Sequence, residues 1–213
     1  DAMRHFLPCL FLFAAIFTAP RGAQAAETTS PLNPQTYFAI NGVGFFHRSG
    51  QTDELRRRWE LMAELGMEWD RSDLWWSDIE PERGRFEWSR WDRVVTAGWG
   101  HGMQIVALLD TTPAWARQPD TPAHTPPTEL ADFGAFARAL AERYRDRVHV
   151  YQVWDEPNLS AHWGNRYVEP RSYARMLREA AINIRQADSQ AVLLTAALAP
   201  FLLAQAAQSG TIP

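Results

Sequence analysis

Lysine is missing from this 213-residue chain: all 21 of its basic residues are arginine. A Schiff base needs a lysine amine, so imine chemistry of the aldolase kind is excluded for this segment. Cysteine is nearly missing too. The single one, Cys9, sits inside an apolar run near the N-terminus. The rest of the chain therefore offers no disulfide, no thiolate metal ligand and no cysteine nucleophile. No GxGxxG or P-loop pattern follows any apolar run, which argues against a nucleotide-binding sheet. Basic clusters dense enough for nucleic acid are also absent, at a net charge of −4. The tightest, Arg56-Arg57-Arg58, is interleaved with Glu54, Glu60 and Glu64 and reads as a solvated helix face. The histidines beyond the leader form no i, i+4 pair and have no cysteine partner, so no metal and no other cofactor is expected.

Long hydrophobic runs are scarce as well. Phe6 to Ala19 falls short of the ~20 residues that span a bilayer. It follows the short basic start Met3-Arg4-His5 and precedes Ala23-Gln24-Ala25, a small-x-small peptidase pattern. Residues 1–25 are accordingly expected to be a signal peptide cleaved near Ala25. The product would be a secreted or periplasmic protein without stable membrane insertion. Residues 26–36 are polar, carry two prolines and read as a linker.

From Tyr37 onward, apolar runs alternate with stretches of helical period. Strands are expected at Tyr37–Phe46, Met67–Asp73, Met103–Leu109, Val148–Trp154 and Ala191–Ala197. Between them, Leu55, Trp59, Met62 and Leu65 mark one helix face, ended by Gly66. Residues from Trp88 to Trp99 form a second helix. Phe133, Phe136, Ala137, Leu140 and Tyr144 mark a third, for which Thr128 can act as cap. Tyr173, Met176, Leu177, Ala180, Ile184 and Ala187 mark a fourth, and a fifth is expected from Leu202. Repeated βα units imply an α/β fold with a parallel sheet. Periodicity alone leaves an open doubly wound sheet and a closed eight-stranded barrel as competitors. Polar residues gather toward strand C-termini (His47, Arg71, Asp110, Glu156), where barrel enzymes keep their chemistry.

The ten tryptophans all follow the leader. Trp75, Trp76, Trp115 and Trp163 fall near strand ends, where a flat ring can stack on a pyranose. Trp59, Trp88, Trp91 and Trp99 fall on helices and read as core.

The fourth strand runs into Trp154-Asp155-Glu156-Pro157-Asn158. This resembles the Trp-Asn-Glu-Pro-Asn segment of retaining glycoside hydrolases of clan A, especially families 39, 42 and 5. Arg71–Gly84 with Phe86-Glu87-Trp88 resembles their second-strand region, Thr112–Ala116 the end of their third strand, and Tyr173–Val192 the helix leading to their fifth. The likeness covers about residues 37–200 in order. It implies that residues 37–213 form the N-terminal half, about strands 1–5, of a (β/α)₈ barrel. It implies a carbohydrate substrate with β-linkages, Glu156 as acid/base, and Arg71 as the arginine that orients the nucleophile. Asp155 departs from the pattern: the usual Asn hydrogen-bonds the sugar 2-hydroxyl, and Asp loses the amide donor. His47, Trp115 and Trp163 complete the expected substrate contacts.

Glu156 has a physical case of its own. Glycosidic cleavage needs a proton delivered to the leaving oxygen and a second carboxylate on the opposite face of the sugar. A Glu directly after an apolar strand, among Trp154, Pro157 and Trp163, has the partly apolar surroundings that suit a proton donor. The family's nucleophile is a Glu ending strand seven, for which no residue here offers a motif match. The segment alone is thus expected to be inactive. The competing reading is a catalytically inactive carbohydrate-binding relative.

Overall fold

The computed structural model describes residues 39–41 and 52–200. The expected leader, the linker, His47 and the helix expected from Leu202 lie outside the described residues. Five strands are present: β1 (Ala39–Asn41), β2 (Trp69–Trp75), β3 (Gln104–Asp110), β4 (Val150–Val153) and β5 (Val192–Leu194). The helices are α1 (Thr52–Glu64), the single turn α2 (Trp76–Ile79), α3 (Ser89–Gly100), α4 (Leu130–Tyr144) and α5 (Pro170–Ala187). All pairings are parallel, and the strands lie side by side in chain order, β1-β2-β3-β4-β5. A doubly wound sheet reverses direction at a switch point, whereas a barrel adds each strand beside the last. The order resolves the two competing architectures in favour of the barrel, of which these are the first five strands.

Each strand sends alternate side chains to opposite faces. One face carries Ile105, Ala107 and Leu109 of β3 with Tyr151 and Val153 of β4. These pack with Trp59, Trp91, Val94, Phe133, Phe136, Met176 and Ile184 from the helices. The other face carries Arg71 and Asp73 of β2, paired in register with Val106 and Leu108 of β3. Leu108 pairs in turn with Gln152 of β4. The helix-facing side is an apolar core into which β2 sets one buried polar pair, Ser72 donating to the Asp70 carboxylate. The opposite side, which lines the inside of a barrel, holds the polar groups.

The helix faces follow the expected periodicity with two corrections. Leu65 lies just past the end of α1 and is 68% exposed. Trp99 is 59% exposed, because Trp91, Val94, Val95 and Gly98 take the inward positions of α3 and the next residue is turned away. Glu129, not Thr128, holds the cap position of α4, and no side chain caps that helix. The Thr128 N–H instead donates to the Ala116 carbonyl, closing the β3–α4 loop. At α5, Pro170 opens the helix and the Glu169 carboxylate accepts from the Arg171 N–H at 3.1 Å. His149, expected within the fourth strand, precedes β4 and pairs with Asp188 at 2.9 Å. Among the described residues, no helix is long and apolar enough to cross a membrane.

Candidate active site

The chain turns sharply as it leaves β3 and β4. Thr111, Trp154 and Glu156 have φ of +61°, +67° and +43°, left-handed values for residues that are not glycine. Each costs of order 1–3 kcal/mol and persists only where its surroundings over-determine it. Here they do. The Trp154 N–H donates to the Leu109 carbonyl at 2.8 Å. Its indole Nε1 donates to the His162 carbonyl at 2.8 Å. The Glu156 N–H donates to Ala197 O at 3.0 Å. The Asn158 side-chain amide pairs in both directions with the backbone of Ala199, at 2.9 and 3.0 Å. The turn buries the Trp154 ring completely and leaves the Glu156 side chain 27% exposed.

Gly164 holds the next bend, at φ +73°, with the Thr125 side chain where its Cβ would stand. Replacing it by Ala combines a left-handed L-residue, roughly 1–2 kcal/mol, with that collision. Gly164→Ala should therefore lower the unfolding free energy by at least about 1–2 kcal/mol, as urea melts of the complete protein would measure. An unchanged midpoint would contradict this account of the turn.

Arg71 is not at a strand end, as expected, but is the third residue of the seven in β2. Its length carries the guanidinium toward the strand C-termini. There Nη2 donates to Asp155 Oδ1 at 2.5 Å and Nε donates to Gln152 Oε1 at 2.9 Å. Gln152 in turn donates to the Trp154 carbonyl at 3.0 Å. Asp73 stands 3.8 Å from the same guanidinium. Burial pushes the Asp73 carboxyl up to about 6; Arg71 opposes this, while Asp110 and Asp155 add to it. Asp155 and Glu156, though adjacent, take different partners. Asp155 turns to Arg71, whereas Glu156 Oε2 lies 3.7 Å from His162 Nδ1. The charge introduced where the family pattern has Asn is thus met by an arginine.

His124 Nε2 lies 3.1 Å from Oδ2 of Asp110, the last residue of β3. The hydrogen bond that His124 donates to the Asp110 carboxylate is the main reason its imidazole is held above its ordinary value, against the opposing effect of burial. The His124 ring stacks on His162 at a centroid distance of 4.9 Å and an interplanar angle of 24°.

The two expected tryptophans are placed differently. Trp115 is half-buried, donates Nε1–H to the Glu80 carbonyl at 2.9 Å, and has the Arg83 guanidinium 4.4 Å from its ring centre. One of its faces is therefore already covered. Trp163 is only 4% exposed and packs edge-on against Trp154 and Tyr173. It belongs to the core, and its free edge meets a separate groove of about 510 Å³ that it shares with Pro126, Tyr167 and Arg175. Trp76, another strand-end tryptophan, is fully buried and stacks on Phe136.

The structure brings Glu156, Asp155 and Arg71 together and adds four residues that sequence reading did not select as site residues: Asp73, Gln152, His124 and His162. For Asp73 and Gln152 a signal existed, since charged or amide side chains inside strands of parallel sheets are costly unless paired. For the histidines there was none, because His124 lies in the irregular β3–α4 loop and His162 in a short 3-10 turn, neither of which has a repeating pattern.

No family model matches the chain. Beta-galactosidase Bga of Halorubrum lacusprofundi is 33% identical over 92 residues, which are 43% of this chain and 11% of that protein. A family 39 glycoside hydrolase of Xanthomonas axonopodis pv. citri superposes with a TM-score of 0.58 at 21% identity, over 81% of this chain and 38% of that one. A family 5 enzyme of Streptomyces cattleya, solved with Manβ1-4GlcNAc, superposes with a TM-score of 0.62 at 18% identity, over 75% of this chain and 44% of that one. The chain thus spans less than half the length of these relatives. Its described residues have the fold of part of the α/β barrel of clan A glycoside hydrolases, including those of families 39 and 5.

Proposed function

We propose that this chain is the N-terminal part of an exported β-glycosidase that works by the retaining, two-carboxylate mechanism. Glu156 is its proton donor and, in the second step, its base. The observation that carries this reading is the placement of Glu156: a braced, left-handed turn at the C-terminal end of β4 holds its carboxyl open to the end of the sheet where barrel enzymes react. Asp155 would accept from a sugar hydroxyl while Arg71 holds it in place. His47 is assigned to the same cleft on the family pattern alone. Trp115 would contribute the part of its ring that Arg83 and Trp76 leave open, and Trp163 acts by supporting Trp154 from behind. The nucleophile is assigned to a later strand of a longer protein. Export rests on the Met3–Ala25 pattern, with residues 26–36 as the link to the barrel.

The test is hydrolysis of aryl β-glycosides by the complete protein, with the configuration of the first-formed sugar read by NMR. Release of β-anomer from a galactoside, xyloside, glucoside or mannoside is the expected result. α-Anomer as the first product would remove the retaining mechanism. Sugar binding without turnover by any of them would instead identify an inactive carbohydrate-binding relative.

A further inference from the structure

His162 has a role that the acid/base assignment of Glu156 does not supply. It sits in the short 3-10 helix Ser160–Trp163, pinned from the backbone side by the indole of Trp154. Its Nδ1 is buried and, among the described residues, has no hydrogen-bond partner. It stands 3.7 Å from Glu156 Oε2. A buried ring nitrogen left unpaired is costly, and such groups call for an explanation. A movement of the carboxyl by roughly 0.9 Å would bring the two to the ~2.8 Å of a charge-assisted hydrogen bond. The ring is not free to follow the carboxyl, because His124 is stacked on it and His124 is itself fixed by Asp110.

We propose that His162 is the positioning residue for the Glu156 carboxyl, held by the His124–Asp110 brace, so that Asp110, His124, His162 and Glu156 act as one unit across the ends of β3 and β4. This deepens the glycosidase reading and rests on it for its catalytic meaning, but the contact itself does not depend on it. The groups facing the unit are Asp110, Asp73 and Asp155 around His124, and Glu156 beside His162. Asp110 favours the proton on His124. A neutral imidazole can donate from Nδ1 to a carboxylate or accept there from a carboxylic acid. That is what a residue must do beside an acid/base that changes its protonation state between two steps.

The test is nitrogen-correlated NMR of the histidine side chains, comparing the complete protein with Glu156→Gln and His124→Phe variants at neutral pH. The expected result is a change in the His162 ring signals and tautomer in both variants. The signals of His149, which is bound to Asp188 elsewhere, should stay constant. His162 signals unchanged in either variant would overturn the proposal, whether or not the protein hydrolyses glycosides. Where hydrolysis is present, His162→Phe should lower kcat between about tenfold and a hundredfold with KM within about twofold, and should displace the pH profile. His162→Asn, which keeps a short polar group, should recover part of the loss. A fall in kcat with an undisplaced profile would assign His162 to packing alone and defeat the proposal.

Discussion

Replacing Glu156 by Gln in the complete protein should reduce kcat/KM on β-glycosides with poor leaving groups about 10²–10⁴-fold. Gln keeps the shape of the side chain and its place beside His162, so the loss reports the proton and not the packing. The size of the loss should depend on the leaving group. An alkoxide or unsubstituted phenolate departs only when protonated, and the variant cannot supply that proton. A dinitrophenolate departs without help, so cleavage of its glycoside should be nearly unaffected in the first step. The second step, in which the same residue must activate water, should then become limiting, with a burst of phenolate followed by slow turnover. An equal loss on both classes of leaving group would mean that Glu156 contributes to shape or binding and is not the acid/base.

How far such a site could be read from the sequence depended on which interactions fixed each residue. β3 was legible because a strand buried on both faces writes a continuous apolar run, here Ile105–Leu109, and β4 because Val150, Tyr151 and Val153 around Gln152 have high β-propensity. The barrel over the open sheet was settled by strand order, a tertiary fact that periodicity does not contain. Arg71 was legible as a site residue but was placed at the wrong level of its strand, since a long side chain reaches where its Cα does not. Trp163 was read as facing the cleft because it lies near Glu156 in sequence. The intervening 3-10 turn sends its ring into the core and leaves the preceding His162 beside the carboxyl. His124 was illegible for a plainer reason. Its partners, Asp110 and His162, lie at the end of β3 and in the 3-10 turn after β4, and no residue spacing encodes a contact among such separate segments.

Asp73→Asn should stabilise the protein at alkaline pH by up to about 3 kcal/mol and leave it unchanged below about pH 4. Burial raises the folded-state value of Asp73 from 3.8 to about 6, while its side chain is 17% exposed. A carboxyl with a raised folded value favours the folded state while protonated. That contribution is complete below 3.8 and is lost as pH rises through about 6. Above that range the native protein carries a carboxylate that would be better solvated in the unfolded chain. Arg71 reduces the cost without cancelling it, and Asp110 and Asp155 increase it. Asn fills the same space without a charge, so thermal melts of wild type and variant should coincide at pH 4 and separate by pH 8. A gain of equal size at both pH values would show that packing, not ionisation, distinguishes the two side chains. A pH-dependent gain would identify Asp73 as a carboxylate kept beside Arg71 at a cost in stability, as expected of a group retained for the work of the site.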